Sequence, residues 1–135
     1  MKCTVNKLKN KNKNKYGAIK TYINGIRFDS KLEASFYLPI KKFCDSHGLQ
    51  LELQKRMKIY EVMGKPYYYV ADFLISNNGK SFLIDAKGYQ ISSSIKKISI
   101  ACNLYHMNSY VGSSIILALK GLKEFYNQSV KVTKE

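Results

Sequence analysis

The sequence predicts an α/β fold, a mixed central sheet flanked by helices in the order α-β-β-β-α-β. Three observations carry that expectation. Apolar residues recur at helical spacing between Ser30 and Gly48, strand-like runs follow with two of them joined by Asn-Gly, and a second amphipathic helix precedes a continuous apolar run. At 135 residues, 45% of them apolar, the chain has material for one core and not two.

Tyr22 to Phe28 reads as a short extended or turn segment. Ser30 then opens a helix that runs to His47 and stops at Gly48, with Leu32, Phe36, Ile40 and Phe43 toward the core. Pro39 inside it should kink or split the helix, because proline lacks the amide the ladder needs. Leu49–Tyr60 alternates as a strand, and residues 61–66, with Gly64 and Pro66, form a turn or loop. Strands follow at 67–76 and 81–87, joined by Asn77-Asn78-Gly79-Lys80, a strong short-range hairpin signal. Beyond Gly88 a serine-rich link leads to a helix over 94–108. Ile95, Ile98, Cys102 and Tyr105 give it an apolar face, with Lys96 and Lys97 off that face. The run 113–119 reads as a strand covered on both faces, and Gly121–Tyr126 as a last helical turn. The organisation expected is a flexible basic arm over 1–20, one domain over 21–127, and a frayed tail over 128–135.

Charge narrows the function. Lys and Arg number 23 against 9 Asp and Glu, a formal net charge of +14, which points to a polyanionic partner. Lys2, Lys7, Lys9, Lys11, Lys13, Lys15 and Lys20 put half of that excess in the arm, either as a solubilising tail or as a tether to phosphates. No stretch has the length and apolarity of a membrane span, and the N-terminus has no secretory h-region, so an intracellular setting is expected. Cys3, Cys44 and Cys102 are scattered and odd in number, which argues against a disulfide framework and a zinc site. His47 and His106 are isolated and read as surface or capping residues.

The chemistry concentrates in the hairpin. With Asn78-Gly79 as the turn, Asn77 faces Lys80 and Asp72 falls opposite Asp85. Ala71, Phe73, Ile75, Phe82, Ile84 and Ala86 then share a core face. Val70, Asp72, Leu74, Leu83, Asp85 and Lys87 share the other. Facing carboxylates repel, and aspartate is a poor strand former, so the pair needs a compensating cation. Lys87 supplies one charge, and a divalent metal with a taste for hard oxygen ligands would supply the rest. The plainer alternative is that the aspartates pair with lysines on an exposed sheet face.

Asp72 followed by Asp85-Ala86-Lys87 resembles the PD-(D/E)xK motif of restriction-endonuclease-like nucleases, with Ala71 where that motif usually has proline. Gly25-Ile26-Arg27-Phe28-Asp29-Ser30-Lys31-Leu32-Glu33, Ala71-Asp72-Phe73 and Asp85-Ala86-Lys87-Gly88 resemble a phage-encoded group of small nucleases. That group is placed with Holliday-junction resolvases and related branched-DNA nucleases, and the likeness spans about residues 20–110. The resemblance implies a metal-dependent DNA endonuclease with Glu33, Asp72, Asp85 and Lys87 as its catalytic set. Glu33, Asp72, Asp85 and the Ala86 carbonyl would hold one or two Mg²⁺ or Mn²⁺ ions. Lys87 would orient or deprotonate the attacking water, or neutralise charge on the phosphorane. It further implies branched DNA such as four-way junctions as substrate, 5′-phosphate and 3′-hydroxyl products, a homodimer, and residence in the host cytoplasm.

Glu33 has a second reading, since Ser30-x-x-Glu33 is a capping box in which the carboxylate would bond back to its own helix start. Lys7, Lys9, Lys11, Lys13, Lys15, Lys96 and Lys97 are the candidate DNA contacts, Gln90 stands near enough to reach the scissile region, and Tyr67, Tyr68 and Tyr69 would stack on bases or pack the sheet edge. A flap or single-strand nuclease, a non-cutting nucleic-acid-binding module and a basic-armed RNA-binding protein are the competing readings.

Overall fold

The computed structural model describes residues 20–88 and 92–132. A small hairpin, β1 (Thr21–Ile23) and β2 (Ile26–Phe28), precedes α1 (Lys31–His47). Then come β3 (Gln50–Val62), β4 (Lys65–Asn77), β5 (Lys80–Ala86), α2 (Ser92–Leu104), β6 (Asn108–Gly112) and α3 (Ile115–Val132). The fold is mixed α/β, with a four-stranded sheet in the order β3-β4-β5-β6. β3, β4 and β5 are antiparallel neighbours, and β6 lies parallel to β5, a pairing that needs the α2 crossover.

Tight turns set the antiparallel register. Asn24-Gly25, Met63-Gly64 and Asn78-Gly79 all take positive φ, the signature of two-residue turns whose twist suits a hairpin. The last of them pairs Asn77 with Lys80 and Phe73 with Ile84, the register the sequence predicts. The segment expected to be a loose turn at 61–66 is mostly strand, closed at Met63-Gly64.

α1 begins where predicted, with the Ser30 hydroxyl accepting from the Glu33 amide at 3.0 Å, and ends at Gly48 in the left-handed conformation. Pro39 does not split it. Buried Phe36, Tyr37, Ile40 and Cys44 seat both halves of the helix on the sheet, and that packing outweighs one missing ladder bond.

Two layers of side chains cover the sheet. Phe73, Ile75, Phe82 and Ile84 pack with α1 and with Ala118, Leu122 and Phe125 of α3. Leu74 and Leu83, on the alternate positions, pack with Ile98 and Ala101 of α2. The face carrying the aspartates is therefore covered, not an exposed sheet surface. Ala71 departs from expectation. It belongs with Tyr69, Met57 and Ile59 to the α2 side, whereas Phe73 and Ile75 belong to the α1 side. The alternation slips where Gln54, at φ 50, lies between Leu53, paired with Phe73, and Lys55, paired with Ala71. A left-handed residue inside a strand re-aims the side chains that follow it.

The run 113–119 is not a strand. The strand is β6, and Ser114 starts α3, its carbonyl accepting from Ala118 and its hydroxyl from the Leu117 amide. Ala118, Leu122, Phe125 and Ser129 are buried at helical spacing, while Ile116 and Leu117 are 76% and 54% exposed. α3 also continues through Val132, past the expected fraying at 128, with Ser129 bonded to Asn77 and to the Tyr126 carbonyl. The second helix starts earlier than expected and ends at Leu104; Ile95 and Tyr105 are exposed, and Ala101 takes the buried place.

Candidate active site

The β4–β5 ladder ends at Phe73–Ile84, whereas β3 and β4 stay paired out to Val62–Lys65. The sheet thus forks one residue beyond Phe73, and the acidic residues converge at that fork. Asp72 bridges the gap, its Oδ2 accepting from the Ala86 amide at 3.0 Å. A strand amide that has lost its ladder partner is satisfied by a side chain instead.

Asp85 is 1% exposed. Its Oδ2 accepts a short hydrogen bond from the Tyr69 hydroxyl. Lys87 Nζ stands 3.0 Å from Oδ1 as an ion pair, yet its direction makes no hydrogen bond, so this buried oxygen keeps its lone pairs unsatisfied. The tyrosine's own proton is held tightly, because burial and the Asp85 charge both push its pKa upward.

Glu33 is buried and serves two neighbours. Oε1 accepts from the Asp29 amide at 3.2 Å, and Oε2 from Gln54 Nε2 at 3.0 Å. The capping box is therefore present in altered form, the carboxylate reaching the residue before Ser30. Gln54 reaches it from the strand position where the alternation slips. Burial raises the Glu33 pKa, the Gln54 hydrogen bond lowers it, and Asp29 and Asp85 raise it.

Asp72 feels the same crowding. Burial, then the charges of Asp85 and Glu33, push its carboxyl up to about 9, against the pull of the Ala86 amide. Asp72 therefore holds a proton near neutral pH. Three acids and one lysine leave the site short of positive charge, and the proton on Asp72 makes up part of the deficit.

These residues fit a hard divalent cation. They offer two adjacent carboxylates, one with an unsatisfied buried oxygen, and the Ala86 carbonyl lies beside them on β5. Among the described residues no three His, Cys, Asp or Glu side chains converge closely enough to hold an ion as they stand. The obstacle is visible in Glu33, whose two oxygens are both engaged by hydrogen bonds.

A protein-family model described as "Protein of unknown function (DUF1064)" matches residues 13–121. The chain belongs to the DUF1064 family. No curated protein and no solved structure matches it. In this DUF1064 chain the matched stretch includes Glu33, Asp72, Asp85 and Lys87.

The fold gathers those four residues, while Lys96 and Lys97 are exposed on α2. Lys7, Lys9, Lys11, Lys13, Lys15 and Gln90 lie outside the described residues. Gln54 is a site residue that the sequence did not single out. Tyr69 packs against the sheet, as one of its two readings held, but its hydroxyl also orients Asp85. His47 stacks on Phe43 near the end of α1, and His106 lies exposed in the turn after α2. Among the described residues no helix is long and apolar enough to cross a membrane.

Proposed function

We propose that this protein is a metal-dependent endonuclease that hydrolyses phosphodiester bonds in DNA, with branched DNA as its preferred substrate. The observation that carries the reading is the Asp72–Asp85 pair at the sheet fork, with Asp85 buried, Lys87 beside it and one Asp85 oxygen unsatisfied. A fold gains no stability from crowding carboxyl groups together. The strand order and the Asp72, Asp85-x-Lys87 spacing support a restriction-endonuclease-like assignment, and the net charge of +14 supports a nucleic-acid partner.

Asp72, Asp85 and the Ala86 carbonyl would hold Mg²⁺ or Mn²⁺, with Glu33 joining directly or through water once it yields a hydrogen bond. The chemistry such an ion supplies is polarisation of the scissile phosphate and acidification of a bound water. The chain's own residues do the positioning. Tyr69 fixes the Asp85 carboxylate, and Gln54 ties Glu33 to the ribbon side of the fork. Lys87, 24% exposed at its side chain, reaches from Asp85 toward solvent, where a phosphate would stand. Its ammonium group orients the nucleophile or offsets charge on the phosphorane.

A non-cutting DNA-binding module is the second reading, favoured by the engagement of both Glu33 oxygens. The deciding experiment incubates labelled junction, flap, duplex and single-stranded DNAs with the protein, with and without Mg²⁺. Cleavage that requires the metal and favours junctions supports the proposal. Binding without cutting supports the module, and full activity in chelator removes the metal mechanism. We propose a homodimer as the working form, because two symmetric cuts across a junction need two sites; light scattering with and without a junction tests it.

A further inference from the structure

Beyond the fork, β3 and β4 continue as a two-stranded ribbon with no third strand beside them among the described residues. One face is braced. Met57, Ile59 and Tyr69 pack against α2, and the Tyr105 hydroxyl, just past that helix, donates to the Lys58 carbonyl at 2.7 Å. Among the described residues nothing packs over the other face. Arg56 lies over the Tyr68 ring there at 3.8 Å, while on the braced side, toward the tip, Tyr60 stacks at 5.1 Å on Tyr67, which packs against the α2 cluster, and Lys65 sits over Tyr67.

Lys55 and Lys58 add charge, each in an exposed pair with Glu52 or Glu61 of the kind that contributes little to stability. Arg56 and Lys65 have no carboxylate in ion-pair range among the described residues. At the tip, Met63 is fully exposed and held at φ 51, a conformation that asparagine or glycine adopts with less strain. Rigid support, basic side chains on aromatic faces and a protruding apolar tip suit a strand of nucleic acid. Phosphates meet the cations, and bases stack on the rings.

We propose that the β3–β4 ribbon is the DNA-holding arm of this protein, gripping phosphates through Arg56, Lys58 and Lys65 and engaging unpaired bases through Tyr60 and Met63. The inference rests on the nuclease reading and names how that site meets its substrate. From Gln54 to Tyr60 the ribbon extends about 20 Å at ordinary strand rise. That is about six base steps of duplex. A branch point seated on the tip would thus place paired DNA across the fork.

The test is fluorescence anisotropy of the full chain with labelled four-way junction, single strand and duplex of shared sequence, in Ca²⁺ without turnover, over a range of salt. Arg56→Ala with Lys58→Ala should weaken binding to all three DNAs and reduce the log–log salt slope by about 1.4–1.8 for two lost phosphate contacts. Tyr60→Ala with Met63→Ala should weaken single-strand and junction binding by about 5- to 100-fold while sparing duplex. Melting temperatures verify folding, and Arg56→Gln with Lys58→Gln repeats the first test if the alanine pair fails to fold. Unchanged affinities and slopes in folded variants, with wild type still binding DNA, would overturn the ribbon assignment and leave the nuclease reading standing. A wild-type chain that binds none of the three DNAs would overturn both.

Discussion

The β3–β4 hairpin is one continuous pair of strands with two unlike halves. In the inner half, Leu51 and Leu53 pair with Ile75 and Phe73, β5 adds a further strand, and helices cover both faces. In the outer half no third strand joins these two among the described residues; α2 lies beneath one face, Arg56 covers Tyr68 on the other, and Tyr60 stacks on Tyr67 toward the tip. The boundary falls at Gln54 and Asp72, and there the acidic site sits. A strand leaving a sheet exposes backbone groups and opens space between its neighbours, so a fork offers polar side chains a sheltered place that a closed ladder does not. The inner half gives the site rigidity, and the outer half gives it access.

The widest separation should come from Asp85→Asn against Phe73→Ala. Removing the buried carboxylate should abolish cleavage, by about 10³-fold or more if it acts as a preorganised electrostatic group. Folding and DNA affinity should survive, because a repulsive charge has gone. Phe73→Ala, at 0% exposure in the inner half, should cost about 3–5 kcal/mol of stability and lower activity only as far as the protein unfolds. Metal-dependent assays beside denaturant titrations read the two separately. An Asp85→Asn protein that cuts at the wild-type rate would remove the fork from catalysis.

Glu33→Gln sharpens the boundary itself. As a tie between the Asp29 amide and Gln54, the residue matters to structure, and as a metal partner it matters to turnover. We expect turnover to fall at least tenfold with a smaller drop in melting temperature. A lower melting temperature with turnover intact would assign Glu33 to the helix start alone.

Proton linkage gives a subtler handle. Asp72 titrates near 3.8 when unperturbed and at about 9 in the folded chain, so between those values the fold holds a proton that the unfolded chain lacks. The stability this contributes is full below pH 4 and is lost as pH rises toward 9. Metal-free protein should therefore melt progressively lower from pH 6 to 9, and Asp72→Asn should flatten that slope. Since a divalent ion must displace the Asp72 proton, Mg²⁺ affinity should rise over the same range. A metal-free melting temperature independent of pH would show that Asp72 is ionised without a cation.

Legibility in the sequence follows the same boundary. The register that leads Asp72 toward Asp85 could be placed because Asn78-Gly79 permits one tight turn, although the ladder stops at Phe73–Ile84 and leaves that pair outside it, and α1 because Ser30 and Gly48 mark its ends. Gln54 and Tyr69 could not, since strict alternation assigns Tyr69 to the face of Phe73 and nothing in the composition announces a left-handed glutamine. The start of α3 reads as strand because five consecutive apolar residues, Ile115 to Leu119, match a doubly covered strand. The burial of Ala118, Leu122, Phe125 and Ser129 shows only over a longer window. The lone methionine in the Met63-Gly64 turn likewise lacks the asparagine that marks the other two.

That methionine supports the smallest prediction. Met63 makes its turn at φ 51 with its side chain wholly in solvent, so neither backbone preference nor burial accounts for it. Asparagine tolerates the left-handed region because its short polar side chain bonds locally, and Asn24 and Asn78 occupy the equivalent place in the other two turns. Met63→Asn should therefore stabilise the protein by about 1 kcal/mol. If the ribbon holds DNA, the same change should weaken junction binding, because the tip loses its apolar contact with an unstacked base. Stability and affinity would then move in opposite directions from a single exposed position, as expected where local strain is retained for function. Thermal melts and anisotropy on one preparation check both. A variant that gains stability and keeps full affinity would show that the outer half needs its cations and tyrosines but not its tip.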